Sequence, residues 1–392
     1  VHIQDLLDYA NFKCYNLLNF IYLRGVSMSF YIKAWEDSVN KVKETSKRIG
    51  ASFPHACKNG FYDNSYPSWW TNGFWPGILW LMYKVEKEES FAEIAKEVEN
   101  KLDEVIQNYY GIDHDAGFLW ILSSVAQYKI LKSEKSKQRA LHVANLLAGR
   151  FNPKGSFIRA WNGEGKEGWA IVDCLMNLPL LYWASEETRD PRYRHIAQAH
   201  ADMALKYFVR EDGSVCHIVS FDPENGEFIE VKGGQGYSPS SSWSRGTAWA
   251  LYGFALSYKY TKDERYLNAA KKVAHYFVSA LPADYVPYWD FRINPEGEPR
   301  DTSAAAIAAS GLIEISRLVS DGEKQMYLDS AQKILKSLYE NYSNFGKSDE
   351  SLLREGTSNK PEKTNINVGL IYGDYFFVEA LYKLLGNSEL FW

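Results

Sequence analysis

Six segments of this chain are apolar on nearly every helical face, and they alternate along the sequence with six that are apolar on one face only. The first set covers residues 73–88, 117–133, 171–188, 245–262, 302–321 and 372–391. The second covers roughly 30–48, 90–109, 135–151, 190–208, 262–280 and 323–341. Each member of the second set carries a small residue mid-stripe: Ala34, Ala95, Ala144, Ala197, Ala270 and Ala331. Large apolar residues such as Leu102, Phe151, Phe208, Phe277 and Leu338 lie one to two turns away. That is the periodicity of helices with one buried face. A helix apolar all round must be buried all round. Strict alternation of the two kinds predicts two concentric layers, an inner ring inside an outer ring, and therefore an all-α (α/α)6 barrel. The unequal spacing of the equivalent alanines suits a closed ring with variable loops better than an open solenoid of uniform repeats.

The connections are asymmetric. Those from inner to outer helices are tight and charged, as in Thr261-Lys262-Asp263-Glu264 and Ser320-Asp321-Gly322-Glu323. Those from outer to inner helices are long and rich in Trp, Tyr, Gly, His and Asp. Function tends to sit on loops held by a rigid scaffold, so the working face is expected where the inner helices begin. Their N-termini turn unpaired N–H groups and positive dipole ends toward that face, which suits an anionic ligand.

Bulk properties narrow the field. The net charge of −5 comes without a basic stripe, which argues against nucleic acid as a partner. No segment is apolar for long enough to span a membrane. Cys14, Cys57, Cys174 and Cys216 have no metal-ligand spacing and no dense disulfide pattern, so reduced thiols and a cytoplasmic location are expected. Residues 1–29 read as an N-terminal extension outside the core, with Met28 a plausible restart, and residues 30–392 as one catalytic domain. The protein is expected to be a monomer or a weak homo-oligomer.

Several polar residues fall on the expected working face. Asp113-His114-Asp115 precedes the second apolar helix, where Asp115 is either an N-cap or a functional acid. Asp173 lies at the start of the apolar segment 171–188. Desolvation there raises a carboxyl pKa and keeps it protonated near neutral pH, as a general acid requires; the alternative is an N-cap or a buried structural carboxyl paired with an amide. His217, Gln235 and Arg245 share the long connections, and Arg245 has a planar fork suited to a carboxylate. Trp70, Phe74, Trp161, Trp243 and Trp249 provide flat faces on which sugars stack, although many of the 13 Trp must be core. No HExxH motif, paired cysteines or Walker-type loop is present, so neither a metal nor another cofactor is expected.

Taken together these stretches resemble the unsaturated glucuronyl hydrolases, glycoside hydrolase family 88. The resemblance rests on residues 70–77, His114-Asp115-Ala116-Gly117-Phe118, residues 171–180, Phe221-Asp222-Pro223-Glu224-Asn225-Gly226, Trp243-Ser244-Arg245-Gly246 with Trp249, Arg300-Asp301-Thr302-Ser303-Ala304 and Tyr372-Gly373-Asp374-Tyr375. It implies an (α/α)6 barrel, with Asp115 and Asp173 the essential carboxylates. It also implies that Trp70, Phe74, His114, Trp161, His217, Gln235, Trp243, Arg245 and Trp249 line the substrate pocket. Residues 354–360 correspond to a loop where some members hold a substrate sulfate, for which Thr357, Ser358 and Lys360 offer similar chemistry. The implied reaction removes a 4,5-unsaturated uronic acid from the non-reducing end of lyase-generated oligosaccharides of chondroitin, hyaluronan or heparin type. It proceeds by protonation at C4 and hydration at C5. The alternatives are an unsaturated rhamnogalacturonyl hydrolase acting on pectin fragments and a non-catalytic carbohydrate-binding toroid.

Overall fold

The computed structural model describes residues 29–108 and 111–392. The expected N-terminal extension, apart from Ser29, lies outside the described residues, and the helix expected over 90–109 ends at Lys101, followed by a single turn at Asp103–Ile106. Six outer helices are α1 (Phe30–Ile49), α3 (Glu89–Lys101), α5 (Glu134–Ala148), α7 (Pro191–Tyr207), α9 (Glu264–Ser279) and α11 (Asp321–Asn341). Inner helices are α2 (Phe74–Glu86), α4 (Ala116–Trp120 continuing through Ile121–Val125 into Ala126–Leu131), α6 (Pro179–Thr188), α8 (Ser244–Thr261), α10 (Thr302–Leu318) and α12 (Ile371–Leu384). Each inner helix packs on the next, and α12 returns to α2, so the ring closes; the outer ring closes where α11 meets α1. The mid-stripe residues Ala34, Ala95, Ala144, Ala197, Ala270 and Ala331 have no exposed surface, as expected for the contact line between layers. The inner helices earn their all-round hydrophobicity: every residue of α10 from Thr302 to Ser316 is buried. Among the described residues no helix is long and apolar enough to cross a membrane.

The two faces of the barrel differ because their connections differ. Four inner helices end in a basic residue with left-handed backbone, Lys87, Lys132, Arg189 and Lys262. Two residues later the outer helix begins. A cation at that point complements the helix dipole, and the left-handed turn ends the helix at once. Ser133, Asp190 and Asp263 then cap the outer helices by accepting the N–H of Ser136, Arg192 and Arg265. The opposite face holds all the strands found among the described residues. β1 (Ala56–Lys58), β2 (Phe61–Tyr62), β8 (Gly356–Asn359) and β9 (Thr364–Leu370) form an antiparallel sheet in the order β2-β1-β9-β8. β3 (Phe151–Asn152) pairs with β4 (Phe157–Ile158), and β5 (Trp169–Ile171), β6 (Ile218–Phe221) and β7 (Phe228–Lys232) form a third sheet.

Two expected inner helices are also corrected. Residues 171–188 do not form one helix: β5 ends at Ile171, a tight turn covers Val172–Met176, and α6 starts only at Pro179, whose fixed φ and missing N–H suit a first helical position. The segment 372–391 is helical only to Leu384, after which the chain folds back. The Val172–Met176 turn is pressed against α8 at Gly253, where an added Cβ would lie 2.5 Å from Leu175 Cβ and 2.9 Å from its carbonyl carbon. Gly253→Ala is therefore expected to lower stability by about 1–3 kcal/mol, as overpacking does, measurable as a lowered melting temperature; an unchanged melting temperature would contradict this packing.

Candidate active site

Two turns and one sheet bring the polar residues together. Ile171 of β5 pairs with Ile218 of β6, and the Val172 N–H continues the ladder to the His217 carbonyl at 3.1 Å. Asp173 and His217 are thus neighbours across a sheet. Asp173 Oδ1 lies 3.7 Å from His217 Nε2, too far for a hydrogen bond, and neither atom has a protein partner. His217 Nδ1 accepts the Gln235 N–H at 2.9 Å, so the ring proton is on Nε2, facing Asp173. Burial, reinforced by the charge of Arg245, lowers the His217 pKa to about 3 and keeps the ring neutral. Gly234 makes this contact possible. Its φ is +56°, and a Cβ there would sit 2.1 Å from His217 Nδ1.

Asp173 is only slightly open to solvent. Burial pushes its pKa up to about 7, against a downward pull from Arg245. Asp115 occupies the cap position of α4, but its side chain makes no capping bond. The Asn177 side chain does that work: its Oδ1 accepts the Phe118 N–H at 2.8 Å, and its Nδ2 donates to Asp115 Oδ1 at 3.2 Å and to the Asp173 carbonyl at 3.3 Å. One amide therefore ties the helix start to both acids. Burial, followed by the charges of Asp113 and Asp173, pushes the Asp115 pKa well above the carboxylate range. His114 Nε2 lies 3.5 Å from Asp115 Oδ2, and burial holds that imidazole neutral. Asp113, His114 and Asp115 offer ligand atoms within 4.8 Å of one another. With Asp113 also raised by burial and spent on the Asp115 N–H, the set is better suited to sharing protons than to holding a cation.

Arg245, in the first turn of α8, is a hub and not a free fork. Its Nη1 donates to Asp301 Oδ2 at 2.5 Å and the Thr357 carbonyl at 2.6 Å; its Nη2 donates to Gln235 Oε1 at 2.8 Å and to the Ser358 carbonyl. The guanidinium is sandwiched by Trp243 and Tyr372, 4.4 and 5.3 Å from the ring centres. This corrects the expectation of an Arg245 fork open to a carboxylate: its terminal donors already hold the loop, leaving a fixed positive charge in the wall. Asp301 in turn caps α10 by accepting the Ser303 N–H.

The remaining expected residues divide into two groups. Trp70 and Trp161 keep part of their surface at the mouth, Trp70 against Tyr372 at 4.9 Å and Trp161 against His114 at 6.2 Å. Trp243 lies against His217 at 4.5 Å. Phe74 and Trp249 are corrected to floor packing: both are fully buried and meet through Phe118, at 5.3 and 5.1 Å. The expected sulfate group is also altered. Thr357 is buried with its hydroxyl on the Arg300 carbonyl, and Lys360 is paired with Glu298 at 2.5 Å. Asn177, Asp301 and Tyr372 lie within the motif stretches but carry no role expected from sequence; Asn177 stands in an apolar run, which is the signal for a buried amide with obligatory partners.

Asn177→Ala leaves the Phe118 N–H and Asp115 without their partner. The expected result is a stability loss of about 1–3 kcal/mol together with a fall in turnover per folded molecule, checked by thermal melting and steady-state kinetics on the same sample; retained turnover would contradict the tie to Asp115.

Comparison with known proteins places these residues in context. Residues 37–369 match the model of Glycosyl Hydrolase Family 88. The unsaturated glucuronyl hydrolase of Bacillus sp. (strain GL1) is 37% identical over 366 residues, 91% of this chain and 97% of that protein. The unsaturated chondroitin disaccharide hydrolase of Streptococcus pneumoniae is 38% identical over 343 residues, 84% of this chain and 86% of that one. A mutant of the Streptococcus agalactiae unsaturated glucuronyl hydrolase, solved in complex with dGlcA-GalNAc6S, superposes with a TM-score of 0.82 at 34% identity, covering 92% of this chain and 93% of that one.

Proposed function

The chain belongs to glycosyl hydrolase family 88, and from that membership we propose that its substrate is an oligosaccharide ending in a 4,5-unsaturated uronic acid, with Asp173 the general acid and base. It is a glycoside hydrolase, and its relatives favour lyase-generated glycosaminoglycan fragments over pectin fragments. The observation that carries the assignment is Asp173 itself: a carboxyl group slightly open to solvent, raised to about 7 by burial, whose buried Oδ1 has no protein partner.

The substrate's C4=C5 bond conjugates with the ring oxygen as a vinyl ether. Asp173 in its acid form gives a proton to C4, and positive charge spreads over C5 and the ring oxygen. The Asp173 carboxylate so formed takes a proton from water as that water adds to C5, which restores the acid. The resulting hemiketal opens and the bond to the next sugar at C1 is released. This differs from schemes in which two carboxylates attack the anomeric carbon. Neutral His217, with its Nε2–H directed at the same space, orients the water without competing for the proton. Asp115, held by Asn177 and raised by burial, hydrogen-bonds the sugar. Trp70 and Trp161 supply stacking faces, and the Arg245 charge with the α8 N-terminus favours the uronic carboxylate. With Thr357 and Lys360 occupied, a free sulfate cradle is not part of this reading. Free, buried Cys57, Cys174 and Cys216 support a cytosolic setting.

The sign of the pH dependence follows. A general acid works protonated, so kcat/KM should fall as pH rises through about 7, the value to which burial brings Asp173. Asp173→Asn should keep the fold, because Oδ1 has no partner to lose, and reduce turnover by roughly 10²–10⁴ or more. The functional test is incubation with unsaturated chondroitin, hyaluronan and heparin disaccharides alongside a saturated glucuronide of the same leaving group. Loss of the conjugated double bond's ultraviolet absorbance with no cleavage of the saturated compound is expected; efficient cleavage of the saturated compound would sink the proposal.

A further inference from the structure

The far end of the barrel is sealed by residues 387–392, which fold back after α12. Five of the described inner helices carry a cation in the last turn, and three of these face the returning segment: Lys84 on α2, Lys129 on α4 and Arg317 on α10. Each reaches across to this segment. Lys84 donates to the Glu389 carbonyl at 3.0 Å, Lys129 to the Leu390 and Phe391 carbonyls at 3.2 and 2.8 Å, and Arg317 to the Asn387 carbonyl at 2.8 Å. The backbone is thus pinned across the helix ends, and Leu390, Phe391 and Trp392 are driven inward, all buried.

Trp392 goes furthest. Its ring lies parallel to Phe376 at 5.9 Å and edge-on to Phe118 at 6.1 Å. Its Nε1 donates to Glu379 Oε2 at 2.6 Å. Glu379 also accepts from Tyr252, Ser310 and Tyr375, on α8, α10 and α12. Four donors converging on one buried carboxylate fix its position, and with it the Trp392 ring. From Trp392 a continuous aromatic column runs up the axis. Phe118 meets Trp249 and Phe74 at 5.1 and 5.3 Å and the half-exposed Trp70 at 5.6 Å. Phe118 is also the residue whose N–H is held by Asn177, the amide that holds Asp115.

We propose that residues 387–392 are an internal plug, and that Trp392 is a positioning residue which, through Phe118 and Asn177, sets the depth of the pocket floor and the placement of Asp115. The proposal rests on the assignment of Asp115 to the working site. Closely packed interiors transmit displacement. Emptying the Trp392 site lets Phe118 settle toward the vacated space and draws the start of α4 with it. Misplacement of a reacting constellation by about 1 Å is enough to cost on the order of 10²-fold in rate.

The test uses the full chain with Trp392→Ala, Trp392→Met and Trp392→Phe. Met fills much of the volume without an aromatic face and adapts to irregular gaps, so it decides the matter should the Ala variant not fold. Turnover of an unsaturated disaccharide is measured per folded molecule, with kcat and KM separated. The expected result is a kcat/KM lowered roughly tenfold to a hundredfold in Trp392→Met, with kcat reduced and KM raised as Asp115 loses its place against the sugar, and recovery of most of both in Trp392→Phe, which keeps the stacking on Phe376 and Phe118. A lowered melting temperature with kcat and KM both unchanged per folded molecule would show that the plug only stabilises the fold, which overturns the proposal. Wild-type protein that fails to consume the unsaturated disaccharide refutes the functional assignment instead.

Discussion

The whole arrangement depends on one constraint: a helix that is apolar on every side needs neighbours on every side. A row of such helices always leaves its two ends exposed, and six of them satisfy one another only by closing on themselves. Ring closure between α12 and α2 is the physical solution. The outer helices, with one apolar stripe and an alanine at its centre, then cover the ring. Closure also decides where chemistry can occur. All inner helices run the same way, so their N-termini, the long connections and the small sheets share one face, while the opposite face is used up by two-residue turns and the returning segment.

At that face the competition is between desolvation and charge. Three acids, Asp113, Asp115 and Asp173, are shifted upward with burial as the leading cause. The imidazoles of His114 and His217 are shifted downward for the same reason. Both changes favour neutral forms, so the pocket carries protons without carrying much charge. Arg245 is the exception; its charge is kept because Asp301, two carbonyls and the Gln235 amide meet it from separate elements. Such a site is matched to a substrate that brings a negative carboxylate and needs a proton delivered to carbon.

Much of this was legible in the sequence. Apolar periodicity over long windows identifies both helix layers and their order, and the contrast between tight and long connections identifies the working face. The motifs point to Asp115 and Asp173. What was hidden is short or non-local. β3 and β4 have two residues each and β5 has three, too few for alternation to register. The run from Ile171 to Leu178 is apolar enough to read as helix, and only pairing with β6 makes its start a strand. The engagement of Lys360 by Glu298, and of Arg245 by Asp301 and the β8 carbonyls, joins residues far apart in the chain. The fully buried positions of Phe74 and Trp249 follow from closure of the aromatic column, which no local pattern announces.

The central claim is that Asp173 delivers a proton to carbon and that water then attacks C5. Running the reaction in D2O and in 18O-labelled water tests it most directly. The account predicts one deuterium at C4 of the released uronic acid and label at the C5-derived carbonyl, read early or after trapping by reduction because a carbonyl exchanges its oxygen. Absence of deuterium at C4, or label at C1 of the uronic acid, would contradict it and make this barrel an ordinary glycosidase.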